Sequence, residues 1–192
     1  MRPDLFNIDT ALLTPRCVVR RFRENDGAAF FALIEGNRDY LLDHFPILIE
    51  EVGTDANAAE AFVRERIAYW LLQQDFAFGI WSNETSKLIG YVHLFDLNWN
   101  VPAAEVSFFL GKEQEEKGLM TEVLARVVRF GFRQLALEKI YLKTLADNYG
   151  SQRVARKVGF GREGDLRNEF RRPGGMLVDL VRFGLSRETY GE

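Results

Sequence analysis

Apolar positions along the chain switch between a repeat of two and a repeat near 3.6, the periods of strand and helix. Residues 16–22 (RCVVRRF) alternate as a strand. Glu24, Asn25 and Asp26 offer helix caps ahead of GAAFFALIEGN, a short helix expected to end near Gly36. A second helical piece over 38–44 is expected to stop before Pro46, and Thr54 or Asp55 can cap ANAAEAFVRERIAYWLLQQ, where Ala61, Ile67, Trp70 and Leu71 fall near helical spacing. FAFGIWS and SKLIGYVHLFD read as a hairpin turned at Asn83 and Glu84. After Pro102, residues 103–110 (AAEVSFFL) form another strand, and residues 119–135 a helix with Leu124, Val127, Val128 and Leu135 on one broad apolar face. KIYLKTLA is a strand, residues 149–158 a short helix ended by Gly159, and EGDLRNEFRR with MLVDLVRFGLS a closing hairpin.

This order makes an α/β (α+β) chain with one βαβ unit, the strands at 103–110 and 139–146 joined by the 119–135 helix. Ligands of open α/β sheets bind beyond the carboxyl ends of strands, where a helix begins. That places the stretch GKEQEEKGLMTE, residues 111–122, at the expected site. Unpaired N–H groups at a helix start attract anions, and Gly118 keeps a side chain out of their way. Glu113, Glu115 and Glu116 pull the other way: they also fit a plain turn whose carboxylates complement the helix dipole. The loop alone leaves anion cradle and charged turn open.

Composition narrows the class. A chain of 192 residues that is 47% apolar with 16 Phe suits a single domain, 1–192, with an ordinary core. No repeat, linker or low-complexity tract interrupts it. One cysteine, Cys17, makes no internal disulfide and implies a reducing compartment. There is no apolar leader or membrane-length run, so a cytoplasmic location is expected. A net charge of -3 argues against nucleic-acid partners, which need a basic face. Two histidines far apart, His44 and His93, give no zinc spacing and read as structural; no metal is expected. P-loop, dinucleotide and nucleophile-elbow patterns do not occur.

Two further groups of residues could carry chemistry. Strands disfavour glutamate, yet Glu105 lies in AAEVSFFL, where alternation puts it on one face with Ser107 and Phe109, opposite Val106, Phe108 and Leu110. It either meets solvent or serves a site. Asn148 is a good N-cap and Ser151 lies in the first turn after it, so both read as capping or as facing a ligand beyond the preceding strand.

Taken together, Ala104-Glu105-Val106 with Phe108-Phe109-Leu110, then Lys117-Gly118-Leu119-Met120-Thr121-Glu122, Asn148 with Ser151, and Gly159-Phe160 followed by Glu163-Gly164 and Leu166-Arg167 resemble the GNAT N-acetyltransferases, in particular the RimJ/RimL-type protein acetyltransferases. LLTPRCVVRRFRENDGAAFFALI resembles the family's opening strand and helix, so the likeness spans nearly the whole chain. It implies a GNAT fold: a mixed central sheet of about six to seven strands flanked by helices, with acetyl-CoA in a V-shaped gap between two splayed parallel strands. The pantetheine would pair with the strand carrying Ser107, Phe108, Phe109 and Leu110. The pyrophosphate would lie on Glu115, Glu116, Lys117, Gly118, Leu119, Met120 and Thr121, and Asn148 and Ser151 would line the cofactor or thioester. Glu115 and Glu116 depart from the family's loop pattern, Glu116 standing where Rim-type members often have glycine. Repulsion through water costs about 1 kcal/mol per unit charge at 4 Å. Each backbone N–H bond to a charged acceptor contributes about 1.5 to 3 kcal/mol, so binding survives if both glutamates point outward.

The resemblance implies transfer of an acetyl group from acetyl-CoA to a primary amine, with a protein N-terminal α-amino group expected from the subfamily and a polyamine or aminoglycoside as the alternative. A lysine-like amine is neutral only about 0.04% of the time at pH 7, an α-amine about 10%, so an N-terminus demands less of a base. Glu105 is the expected base, directly or through water, with backbone N–H groups near Ser107 to Phe109 polarising the carbonyl. Ser151 is the expected acid for the leaving thiol, and Tyr149 its reserve. A different class, a non-catalytic acyl-CoA-binding or interaction module, draws its support from Glu115 and Glu116. Acceptor contacts are expected from 38–74 and the 97–102 loop, where Trp99 is either a substrate wall or an exposed loop residue. The sequence is compatible with a monomer or a homodimer.

Overall fold

The computed structural model describes Asp4 and residues 7–191. Eight strands form one sheet in the order β1-β2-β3-β4-β5-β6-β8-β7: β1 (Ala11–Leu13), β2 (Cys17–Arg21), β3 (Phe76–Ser82), β4 (Leu88–Asn98), β5 (Ala103–Leu110), β6 (Lys139–Leu145), β7 (Gly161–Arg171) and β8 (Leu177–Ser186). The count exceeds the expected six to seven because β1, three residues long, is too short to show a period. Helices α1 (Gly27–Glu35), α2 (Arg38–Leu42), α3 (Pro46–Val52) and α4 (Ala56–Leu72) lie between β2 and β3. Then α5 (Leu119–Arg133) joins β5 to β6, α6 (Tyr149–Val158) joins β6 to β7, and a short α7 (Arg187–Tyr190) follows β8.

Alternation along each strand divides the core in two. Val92 and Leu94 of β4, Val106 of β5 and Ile140 of β6 meet Val123, Leu124, Val127 and Val128 of α5 on one face. Tyr91 and Phe109 meet Phe30, Ile34, Ile49, Phe62 and Val63 of α1, α3 and α4 on the other. Pro46, expected to lie beyond a helix end, opens α3, where its missing N–H costs nothing. Asp55 caps α4 through Asn57 N and Ala58 N, at 2.8 and 2.9 Å. Asp26, by contrast, makes no cap bond: its carboxylate binds Arg20, and the Glu60 carboxylate of α4 accepts from Asn25 N and Gly27 N instead. A Cβ on Gly27 would lie 2.4 Å from Glu60 Cα, so glycine lets α1 and α4 close together.

One irregularity positions the site. All other pairings are antiparallel, but β5 and β6 run parallel and stay in register only from Ala103↔Lys139 to Glu105↔Tyr141. Beyond Glu105 the strands part, although β5 continues to Leu110 and β6 to Leu145. On its other edge β5 stays paired with β4 up to Leu110. The fork therefore opens between two otherwise well-supported strands.

Candidate active site

Two cavities meet at this fork. The smaller, about 350 Å³, runs along Phe108, Phe109 and Leu110, the loop residues Gln114, Glu115, Glu116 and Gly118, the start of α5 at Leu119, Met120 and Thr121, and one stripe of α6. The larger, about 670 Å³, opens on the other side, beneath α3 and over β4, β5 and β6. His44, Phe45, Phe108, Asn148 and Ser151 line both, so a molecule spanning the two would bend past these residues.

The smaller cavity has the construction of an anion cradle. Gly118 starts α5 with φ +75°, a left-handed conformation that glycine adopts freely. The first N–H groups of α5 have no partner within the helix. Arg16 fixes this start from the β1–β2 turn: its Nε donates to Glu122 at 2.8 Å, its guanidinium to the Lys117 carbonyl at 2.8 Å, and its backbone N to Glu122 at 3.1 Å. Glu122, an acid near the N-terminus, is thereby occupied by arginine. Glu115 receives the Tyr40 hydroxyl from α2. Glu116 is exposed and lines the cavity with φ +58°, so it occupies a glycine-like backbone position without glycine. Lys117 donates to Gln114 at 3.3 Å and lies outside the lining.

Facing the loop, Gly150, Arg153, Val154 and Lys157 make one stripe of α6 at helical spacing. Arg153 and Lys157 bring two cations to a cavity that otherwise carries Glu115 and Glu116. Sequence reasoning singled out neither of these two cavity-lining cations. The i, i+4 spacing from Arg153 to Lys157 was the available signal.

In the larger cavity Glu105 lies just where the strands part, 8% exposed, with Lys143 Nζ of β6 3.0 Å from its carboxylate. Burial pushes its pKa up; Lys143 opposes that and Asp96 adds to it. Ser107 lines the same cavity. Asp96 stands at a bulge in β4 with φ +51° and accepts from the Tyr141 hydroxyl at 2.5 Å. Four carboxylates, Glu51, Asp75, Asp96 and Glu105, share the lining with two permanent cations, Arg66 and Lys143, so the cavity suits an acceptor that enters with positive charge.

Asn148 caps α6, its side chain accepting from Ser151 N at 3.0 Å, and both residues also line the two cavities. The cap bond thus leaves both residues at the cavity walls. Tyr149 is 68% exposed and belongs to neither lining, because the first turn of α6 turns it outward; the structure does not bring it to the thioester position expected of a reserve acid. His44 and His93, read as structural from sequence, both line the larger cavity. Burial lowers the pKa of His44, helped by Arg172 and opposed by Asp43, Asp147 and Glu115. Trp99 does neither expected thing: it packs against the core, and its Nε1 donates to the Gln73 carbonyl at 3.2 Å. Of the two segments expected to contact an acceptor, 38–74 lines the larger cavity at 44–48, 51, 66, 69 and 74, whereas 97–102 contributes none of that lining.

Among the described residues no group of side chains could hold a metal, and no helix is long and apolar enough to cross a membrane.

The profile of the family described as acetyltransferase (GNAT) domain matches residues 16–161. An uncharacterized N-acetyltransferase of Bacillus subtilis (strain 168), YoaA, is 29% identical over 159 residues, 81% of this chain and 85% of the relative. Spermidine N(1)-acetyltransferase of Escherichia coli (strain K12) is 35% identical over 81 residues, 42% of this chain and 44% of that protein. RimL, a ribosomal L7/L12 α-N-protein acetyltransferase solved in complex with coenzyme A, superposes with a TM-score of 0.84 at 17% identity, over 93% of this chain and 98% of its own. The last likeness is one of fold.

Proposed function

The chain belongs to the GNAT acetyltransferase family and is an acetyl-CoA-dependent N-acetyltransferase; from that premise we propose that it acetylates the N-terminal α-amine of a peptide or protein, held in the larger cavity with Glu105 as the base. Acetyl-CoA, when bound, supplies a thioester whose carbonyl carbon an amine attacks while coenzyme A leaves as the thiol. The helix start at 118–121, the α6 stripe and the freed edge of β5 are the residues suited to hold it.

The observation that carries the acceptor reading is Glu105 beside Lys143 at the fork. A buried carboxylate with a raised pKa accepts a proton more readily than an exposed one, yet it is a far weaker base than an alkylamine. An α-amine, with pKa about 7.7 to 8.0, is within its reach far more often than a side-chain or polyamine nitrogen near 10.4. Lys143 also opposes a permanent cation at this place. Backbone N–H groups of β5 beyond Glu105 are suited to polarise the carbonyl, and Ser151 to protonate the leaving thiol. One observation favours a second reading: Glu51 and Asp96 exceed the lining cations, as a polyamine's further charge would require.

Initial rates with acetyl-CoA discriminate these readings. Peptides with free N-termini are expected to be turned over, and the same peptides with blocked N-termini not. Turnover of spermidine with none of any free-N-terminal peptide transfers the assignment to polyamines.

A further inference from the structure

The floor of the larger cavity holds polar groups that acetyl transfer does not use. Tyr91 and His93 lie two residues apart on β4 and therefore on one face. Arg66 reaches them from α4 and Asp75 from the start of β3. Arg66 is paired with Asp75 at 3.1 Å, and His93 Nε2 lies 3.0 Å from the same carboxylate oxygen, Oδ2. The second pair is at ion-pair distance but lacks hydrogen-bond geometry, since Nε2 has no hydrogen-bond partner. The Tyr91 hydroxyl, Asp75 Oδ1 and Arg66 Nε are unpaired as well. These residues are 2%, 5% and 9% exposed, and all line the cavity. Leaving such groups unpaired in a fold costs stability, which points to a ligand that pairs them.

We propose that Arg66, Asp75, Tyr91 and His93 form a specificity subsite that recognises a neutral hydrogen-bonding group of the acceptor, a hydroxyl or carboxamide, away from the reacting amine. The available atoms include donors, Arg66 Nε–H and the Tyr91 O–H, and acceptors, Asp75 Oδ1 and the Tyr91 oxygen, so the group they fit both accepts and donates. Within this cluster Arg66 and Asp75 offset each other's charge, so a neutral group fits better than a second ammonium, which would meet Arg66, or a carboxylate, which would meet Asp75 and Glu51. Burial holds the Tyr91 hydroxyl well above its usual pKa, with Asp75 and Glu51 adding to that and Arg66 opposing, so it stays neutral and keeps its proton to donate.

Register gives the spacing. Phe95 pairs with Glu105, His93 with Ser107 and Tyr91 with Phe109. His93 and Tyr91 are therefore one and two same-face steps from the level of Glu105, at roughly 7 Å per step. An extended peptide rises about 3.3 Å per residue, so the subsite meets a side chain two to four residues from the amine.

This inference rests on the proposed acceptor site at Glu105, and the test keeps the two separable. Rates would be measured on peptides carrying Ser or Asn, Ala or Val, and Lys or Glu at the second to fourth residue, and on an ω-amino alcohol against the alkylamine of equal length. Wild type is expected to prefer the neutral polar member of each set by at least about tenfold in kcat/KM. Tyr91→Phe is expected to bring that ratio close to one while its melting temperature holds or rises, since only an unpaired hydroxyl is lost. Asp75→Asn, which keeps the shape, is expected to reduce the ratio as well. No preference in wild type, or an undiminished one in Tyr91→Phe, overturns the subsite. Failure on every peptide with the amino-alcohol preference intact supports the subsite and overturns only the peptide reading.

Discussion

In the proposed reaction, proton removal turns on Glu105. Replacing it by Gln keeps size and hydrogen bonding but removes the base, so kcat should fall about 100-fold or more. Acetyl-CoA affinity by calorimetry should stay near wild type. Because burial raises its pKa, activity is expected to fall as pH drops through that raised value and the carboxylate is neutralised. Lys143 opposes the shift, so Lys143→Met should move the acid limb of kcat/KM to higher pH; a limb that stays put separates the limb from Glu105. His44, whose pKa is lowered, is the rival proton acceptor where the cavities meet. A Glu105→Gln enzyme with full turnover from pH 6 to 9, beside an inactive His44→Gln, reassigns the base to His44. Sequence made Glu105 legible because a glutamate is conspicuous within an apolar strand. It could not make Lys143 or Asp96 legible, since their closeness depends on β6 running parallel to β5 and on a bulge in β4.

At the scale of elements, the start of α5 is where backbone and charge compete. Glu116 holds a left-handed φ, which costs a non-glycine residue about 1 to 2 kcal/mol. Glu116→Gly removes both strain and charge, whereas Glu116→Gln removes charge alone. Both should tighten acetyl-CoA binding, more at low salt, and only the glycine variant, which also relieves the left-handed φ, should raise the melting temperature. Unchanged affinity in both at every salt concentration would show that the side chain never faces the phosphates. Across the cavity, Arg153 and Lys157 offset the glutamates from α6. Replacing both by Ala is expected to weaken binding in low salt and to matter less in high salt. Arg16 acts differently: it touches the loop from behind, so Arg16→Ala should lower stability by about 1 kcal/mol and weaken acetyl-CoA binding several-fold by loosening Gly118. A lower melting temperature with unchanged affinity would confine Arg16 to holding the fold. α5 and α6 were readable because their apolar and polar faces repeat and glycines mark their ends. α3 was not, because Pro46 can end one helix or begin the next and the local sequence does not decide which.

For the whole molecule, the two-sided core follows from alternation, but the sheet order depends on which strand edges pair, and the fork follows from what β5 and β6 each prefer elsewhere. β5 remains paired with β4 to Leu110, and β6 with β8 to Leu145, so their common edge is the one that opens. No local pattern encodes that separation; it arises when two antiparallel sheets share a short parallel seam. Three residue pairs make that seam, from Ala103 to Glu105. A ligand lying in the fork would bridge the two halves, so binding and global stability should be coupled. Acetyl-CoA at 100 times its Kd contributes about 2.7 kcal/mol to the folded state, which for a chain of this length corresponds to a rise in melting temperature of roughly 5 to 10 °C. Glu105→Gln should retain this rise, since it removes the base but leaves the fork, whereas replacing both Arg153 and Lys157 should shrink it. A protein that melts at the same temperature with and without saturating acetyl-CoA would show that the fork does not hold the co-substrate. Rescue of the rise by Glu116→Gly would then trace the failure to the acidic loop rather than to the seam.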